Sequence, residues 1–295
     1  MIILFIVIII ICLILVKSYK EKFFTNKIEF LEKDSVCKVL KKINYIYNDL
    51  DLKLRNIPKE YYTNIYKFYC DNLIDFTDLD KKLLLWIIDG IKLRIPNNLL
   101  FIFDNIKISK FQNNIENGFP HTNYNIIFLT DRFISNILSY YNNNNIEDAI
   151  INVGSIIIHE CVHIWQRKNP DDFNDLYINY WNFIKPKKIY NSEKLDMLKR
   201  YNPDGVDTKW VFSINNKHIY ILCIYNDNST DIGDTMSIGI YIEKNGVNCI
   251  IPKTSKIHNL NNIKEFTYFF KHLNGNNYHP NEISAELLSI YYLKV

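Results

Sequence analysis

The sequence predicts an α+β fold that is mainly helical, carries a small antiparallel sheet, and is preceded by an N-terminal membrane helix. Three observations lead there. Apolar residues recur at three- and four-residue spacing through most of the first two-thirds of the chain. Between Trp210 and Ile251 that pattern gives way to Ile, Tyr and other strand formers around an Asn245-Gly246 turn. Ahead of both, Met1 to Val16 is uninterrupted apolar sequence. The chain has 295 residues, no internal repeat and no Pro/Gly/Ser-rich linker. It therefore divides into an anchor, residues 1–19, and one body, residues 20–295. Within the body, residues 20–110 are expected to be helical, and a β region is inserted at about 208–252.

The anchor comes first. As a helix, Met1 to Val16 reaches roughly 24 Å, short of a hydrocarbon core of about 30 Å, and Lys17 and Tyr19 extend it by snorkelling. It lacks the basic start and small-x-small cleavage site of a secretory signal, so an uncleaved anchor is expected. A secreted or lumenal body after signal cleavage is the alternative. Lys17, Lys20, Lys22 and Lys27 follow the segment and place the body on the cytosolic side.

Helical periodicity then covers Ile28 to Leu50, Glu60 to Leu73 and Thr77 to Ile91, and Pro96 ends that run. Leu99 to Ile108 and Tyr124 to Leu129 read as strands. The second is either a core strand or an edge to which an extended peptide pairs. Asp131 to Tyr141 is helical. Asn145 is suited to cap the next helix, with Glu147 and Asp148 at the positive end of its dipole. Pro170 stops that helix, because the residue before a proline disfavours helical geometry. Asp172 to Phe183 is amphipathic. Lys217 to Tyr225, Ser237 to Glu243 and Val247 to Ile251 make the sheet. Two helices close the chain, Asn262 to Leu273 and Pro280 to Leu293, with Pro280 at a first helical position.

Composition excludes some functions. A formal charge of +3, with lysines scattered rather than gathered in a stripe, leaves no footprint for nucleic acid. The cysteines are Cys12, Cys37, Cys70, Cys161, Cys223 and Cys249, none in a C-x-x-C pair. Setting Cys12 aside leaves an odd five, which argues against a disulfide framework and for a reducing compartment. The sequon Asn228-Ser229-Thr230 is expected by accident in so Asn-rich a chain.

The chemistry concentrates in His159-Glu160-Cys161-Val162-His163, inside a long helical run. Two histidines four apart leave one face of a helix and can share one zinc ion. Glu160 between them sits where it can take a proton from bound water. A coincidental surface pair is the plain alternative. Cys161 leaves on another face and reads as a small buried apolar residue. Catalytic zinc takes three protein ligands. The best source of the third is Tyr278-His279-Pro280-Asn281-Glu282-Ile283-Ser284-Ala285-Glu286. Glu282 and Glu286, four apart, share a helix face beside small residues that allow close approach to the His helix. One carboxylate can bind metal while the other takes the outer N–H of a ligating His. Standing alone, the pair would be an acidic solvated face.

Together the two segments resemble the gluzincin signature, HExxH followed on a second helix by E-x-x-A-[D/E]. The resemblance covers a small part of the chain. It implies a zincin-like fold and a zinc peptidase: His159, His163 and Glu282 as ligands of one Zn2+, and Glu160 as general base. It also implies that Glu286 orients one His ligand and that Asn281 hydrogen-bonds the other. The wider context, His-Ile-Trp-Gln-Arg-Lys-Asn-Pro and Asn-Pro-Asp-Gly-x-Asp-x-x-Trp, is similar to uncharacterised zincin-like proteins of large DNA viruses. The stretch from His163 to Glu282 is longer than in many gluzincins, and the inserted β region accounts for it. No motif places the transition-state donor; Tyr278, His279 and His272 are the candidates.

The remaining polar residues are given plain roles. His121, His218 and His258 have no partner at ligand spacing, Trp165 and Trp181 sit at core spacing, and Asp231 and Asp234 offer too few ligands for calcium. The expected function is a membrane-anchored zinc peptidase, touching the membrane through residues 1–16 and cutting a peptide or protein substrate. Two alternatives stand beside it: a catalytically inactive zincin-like binding or scaffold protein at a membrane, and a zinc hydrolase of non-peptide amides or esters.

Overall fold

Ile28–Phe30 (β1) pairs in parallel with Ile106–Phe111 (β3), and around this pairing the first sheet is built. The computed structural model describes residues 27–204, 209–226, 228–270, 273 and 277–294. Between β1 and β3 the chain forms Lys33–Leu40 (α1), Asp49–Leu54 (α2), Ile65–Asp71 (α3), Leu73–Ile74 (β2) and Asp78–Arg94 (α4). Two strands follow, His121–Asn123 (β4) and Ile126–Thr130 (β5). The sheet order is β1-β3-β5-β4, with β2 also on β3. Strands β1 and β5 run parallel to β3, and β4 runs antiparallel to β5 at the edge.

This corrects two sequence expectations. Residues 20–110 are not helical throughout: Ile28–Phe30 leaves its helical pattern because a tertiary partner, Ile106 to Ile108, outweighs local periodicity. The apolar run from Leu99 begins as a 3₁₀ stretch, Asn97–Phe103, and becomes a strand only at Ile106. Strand β5 lies between β3 and β4, so of its two readings the core strand holds and the edge belongs to β4.

Asp131–Asn142 (α5) leads to Ile146–Ala149 (α6), a π-helical stretch at Ile150–Gly154, and Ser155–Lys168 (α7). Asn145 caps α6 through its side chain, as expected. Two glycines let this continuous rod lie on α4. A Cβ at Gly90 would meet Ile146 Cδ1 at 2.9 Å, and one at Gly154 would meet Ile91 Cγ1 at 3.0 Å. The contact seals Ile87, Ile88 and Ile91 of α4. It leaves α7 buried over most of its circumference, from Ile157 to Gln166.

After Pro170–Asp175 (α8) come Phe183–Ile184 (β6), Ile189–Tyr190 (β7) and Glu193–Leu198 (α9). Then follow Val211–Ile214 (β8), Lys217–Tyr225 (β9), Thr235–Asn245 (β10), Asn248–Ile250 (β11) and Ile257–Asn259 (β12). They form a second sheet ordered β6-β8-β9-β10-β11-β7, with β12 paired to β10. It is antiparallel except for β7 on β11, and larger than the small insert expected. The additions, β6, β7, β8 and β12, are strands of two to four residues, too short to carry a period. The expected hairpin turn is present, with Asn245 opposite Asn248 and Gly246 at φ 60°. Lys264–Phe269 (α10) and Pro280–Lys294 (α11) close the chain, and α11 packs on α7.

Two further expectations change. Cys37 of α1 and Cys70 of α3 form a disulfide with Cα atoms 5.4 Å apart, which removes the ground for placing the body in a reducing compartment. Nothing in a 33-residue separation announces such a pair. The membrane localisation is also corrected. No helix among the described residues is long and apolar enough to cross a membrane. Residues 1–19, on which the anchor rested, lie outside the described residues.

A buried polar cluster joins the two halves. Arg55, just after α2, pairs with Glu116 and with Asp51, the latter at 3.4 Å, and donates to the carbonyl of Tyr201. Tyr69 donates to Glu116 and Tyr225 of β9 donates to Asp51. The Tyr47 ring lies 4.1 Å from the guanidinium carbon.

Candidate metal centre

Helix α7 places His159 and His163 one turn apart on the face that meets α11, and α11 presents Glu282 in its first turn. The three side chains converge. His159 Nε2 and His163 Nε2 are 3.0 Å apart. Glu282 Oε2 lies 3.4 Å from His159 Nε2, and Glu282 Oε1 lies 3.3 Å from His163 Nε2. Ligand atoms about 2.0–2.1 Å from a tetrahedral ion stand about 3.3–3.4 Å from one another, so these separations suit a cation at the centre. His159, His163 and Glu282 thus form a buried group that could hold one metal ion.

The orientation of His163 follows from its neighbours. Its Nδ1 is 2.9 Å from Gln166 Oε1. Gln166 Nε2 donates to the Asn281 carbonyl and to Ser284 Oγ, both at 2.8 Å, and the Tyr177 hydroxyl is 2.7 Å from Ser284 Oγ. With its amide N–H groups used there, Gln166 turns its oxygen to His163. Nδ1 then carries the proton, and the Nε2 lone pair faces the site. His159 has Glu286 Oε2 at 3.8 Å from Nδ1. Asn202 Nδ2 donates to Glu282 Oε1 and to the Tyr278 hydroxyl, both at 2.9 Å, fixing the carboxylate from the far side.

The electrostatics leave the site short of positive charge. Burial alone would lower the pKa of His163, but the carboxylates of Glu282, Asp204 and Glu160 outweigh it and push it up to about 10. Burial raises the Glu160 pKa well above the usual carboxylate range, and the charge of Asp204 adds to the rise. Burial works the same way on Glu282, yet His163 and His159 hold it well below its ordinary value. Arg167 is the nearby guanidinium. It donates to the Tyr124 and Asp204 carbonyls and to Thr122 Oγ1 rather than to a carboxylate.

A cleft of about 630 Å³ opens onto this group. Its walls include His159, Glu160, Glu282, Glu286, Tyr278 and the segment from Arg200 to Asp204. Glu160 Oε2 is sealed from solvent and has no hydrogen-bond partner. At the mouth, the edge of β4 is covered: Thr122 N–H and Oγ1 donate to Asp204, and Asn123 Nδ2 donates to the Pro203 carbonyl.

Most of the residues nominated from sequence meet here. His159, His163, Glu160, Glu282, Glu286 and Tyr278 share the site. Asn281 differs from expectation: its backbone carbonyl takes part, through Gln166. His279 is turned aside, its Nδ1 accepting the Asn281 N–H, 3.1 Å away, as a cap on α11. His272 lies outside the described residues. Gln166, Asn202 and Asp204 were not foreseen. Gln166 stands three residues beyond His163, on the same helical face, and that spacing is the one signal that could have found it.

Comparison of the chain with protein-family models, with curated proteins and with solved structures gives no match.

Proposed function

We propose that this protein is a zinc-dependent hydrolase of peptide bonds. The observation that supports it is the convergence of His159 Nε2, His163 Nε2 and the Glu282 carboxylate beside the unpartnered oxygen of Glu160. Two imidazoles and one carboxylate favour zinc among the common divalent ions. When bound, the ion would supply Lewis acidity to a substrate carbonyl and to a water. Glu160 takes the proton of the attacking water and returns it to the leaving nitrogen, a role that requires the bound cation to offset the burial that raises its pKa in the metal-free protein. Tyr278 accepts an N–H from Asn202 and keeps its own proton to donate to the oxygen of the tetrahedral carbon. Gln166 and Glu286 hold the two imidazoles in place.

A second reading, hydrolysis of a smaller amide or ester, is favoured by one observation. Asp204 and Pro203 cover the β4 edge at Thr122 and Asn123, which limits strand pairing by a long peptide. Metal content tests both readings at their root. The expected outcome is one equivalent of zinc, lost in His163→Ala and in Glu282→Ala, with Glu160→Gln keeping the metal and losing turnover. A parent protein that takes up no zinc on reconstitution would end both.

A further inference from the structure

Arg200 stands in the cleft wall without a counter-ion. Its backbone is held firmly: Lys199 bridges to Ile224, and Arg200 N–H donates to the Cys223 carbonyl beside it. From there the side chain reaches the cavity that holds His159, Glu160 and Glu282. Its Nε is shielded from solvent and has no hydrogen-bond partner. Among the described residues no carboxylate makes an ion pair with it; the groups around the guanidinium are Tyr278, Cys223, Arg55 and Tyr225. None of these neutralises it. Burial pushes the Cys223 thiol and the Tyr278 phenol upward, so both stay uncharged, and Arg55 is another cation already engaged by Glu116 and Asp51.

Arg200 as a whole is half-buried, and a guanidinium with its Nε sealed and no anion beside it gives up solvation without a charge to replace it. The other arginines in the interior differ in their acceptors: Arg55, whose Nε is likewise unpartnered, has two carboxylates, and Arg167 spends its N–H groups on oxygen acceptors. Arg200 faces the cleft of about 630 Å³ beside the His159, His163 and Glu282 group. The sign and size of a ligand's charge follow from the rest of the wall. Glu160, Glu282, Glu286 and Asp204 line the same cavity and would repel a dianion such as a phosphate monoester. A single planar monoanion placed at the Arg200 end meets the guanidinium fork and stays away from the acids.

We infer that Arg200 is a specificity-determining residue that binds a carboxylate of the substrate near the bond to be cut. This rests on the hydrolase reading above. The carboxylate has two possible sources, the free C-terminus of a peptide or an Asp or Glu side chain within it.

Zinc-loaded protein is offered three acetyl-capped peptide mixtures: one with free C-termini, one amidated and containing Asp and Glu, and one amidated with Asn and Gln in their place. Cleavage is followed by mass spectrometry. One carboxylate-bearing mixture is expected to be cut about ten- to a hundredfold faster than the neutral one, as a charged hydrogen-bonding pair would give. Which mixture is preferred identifies the source. Arg200→Gln should take that ratio to about one while the protein still binds its equivalent of zinc, and Arg200→Lys should recover part of the ratio. Equal cutting of all three mixtures, or a preference that survives Arg200→Gln, overturns the inference. If no mixture is cut, the peptidase reading fails on its own, and Arg200 is judged by titrating glutarate against chelator-treated protein. Binding weakened about tenfold or more by Arg200→Gln upholds the anion site. No binding by the parent, or equal binding by both proteins, sinks it.

Discussion

The protein contains two buried clusters of charge, and they are built on opposite plans. Around Arg55, two carboxylates, Asp51 and Glu116, surround a guanidinium, and the hydroxyls of Tyr69 and Tyr225 fill further acceptor sites. That cluster brings its own cation. Around His159 and His163, the carboxylates of Glu160, Glu282 and Asp204 form no ion pair with an arginine or lysine among the described residues; the imidazoles are the partners of Glu282, and Glu160 Oε2 is left without one. In the first arrangement the chain supplies both the carboxylates and their cation, although Asp51 Oδ2 and Arg55 Nε have no hydrogen-bond partner. The second is a group that could hold one metal ion. Burial of polar groups is common to both, so burial does not separate them; the kind of positive partner does, a guanidinium in one and two imidazoles in the other.

The contrast can be broken by mutation. Arg55→Met leaves Glu116 buried without its counter-charge and is expected to cost about 3–5 kcal/mol of stability, measured by denaturant unfolding. Glu282→Gln, in metal-free protein, removes a carboxylate that His163 and His159 hold ionised, so it should also cost stability, but less than Arg55→Met by the same measurement, because no buried carboxylate loses a guanidinium. Equal costs would erase the distinction.

Metal sharpens it next. Zinc at about a hundredfold its Kd should stabilise the parent by about 2.7 kcal/mol, and His163→Ala should abolish the gain. Arg55→Met should keep the gain if that variant remains folded. Gln166→Leu should weaken zinc binding by about ten- to a hundredfold, read by competition with a chromogenic chelator, because His163 loses the acceptor that sets its tautomer.

The two clusters should also respond to pH with opposite signs. Burial alone would raise the Glu116 pKa, but Arg55 and His121 hold it below its ordinary 4.5. Its contribution is therefore whole above pH 4.5 and lost as pH falls through the lower folded value. In metal-free protein His163 is raised from 6.5 to about 10, so its contribution is whole below pH 6.5 and lost as pH rises toward 10. Unfolding midpoints across this range should flatten on the acid side in Glu116→Gln and on the alkaline side in His163→Ala. The smallest effect is expected of Tyr225→Phe, about 1 kcal/mol from one lost hydrogen bond, with zinc binding unchanged.

The candidate metal cluster was legible in the sequence to the extent that its residues lie at helical spacing. His159 and His163 on one rod, and Glu282 with Glu286 on another, need only the 3.6-residue turn to be placed on a face. The small residues Ser284 and Ala285 foretold the close packing of α11 on α7, and both are fully buried. What lay hidden is whatever depends on chain passing from one sheet to the other. Arg55 meets Glu116 and Tyr225 across long separations with no period to betray them. Asn202 reaches Glu282 from a segment without regular structure. The strands at Ile28, Phe183 and Ile257 are set by their partners rather than by their own composition.

The five residues from Arg200 to Asp204 carry a consequence for how this protein can vary. Arg200 is fixed to β9, Tyr201 accepts from Arg55, Asn202 holds Glu282, and Pro203 with Asp204 fastens β4. Each contact is set by its distance along the chain from the last, so inserting or deleting a single residue would put every one of them out of step. The hairpin tip at Gly246 is the reverse case. Nothing lies within 4 Å of a Cβ built there, and Val247 beside it is 68% exposed. Length and even a whole inserted domain can be accepted at that tip, while the short segment beside the metal site tolerates none.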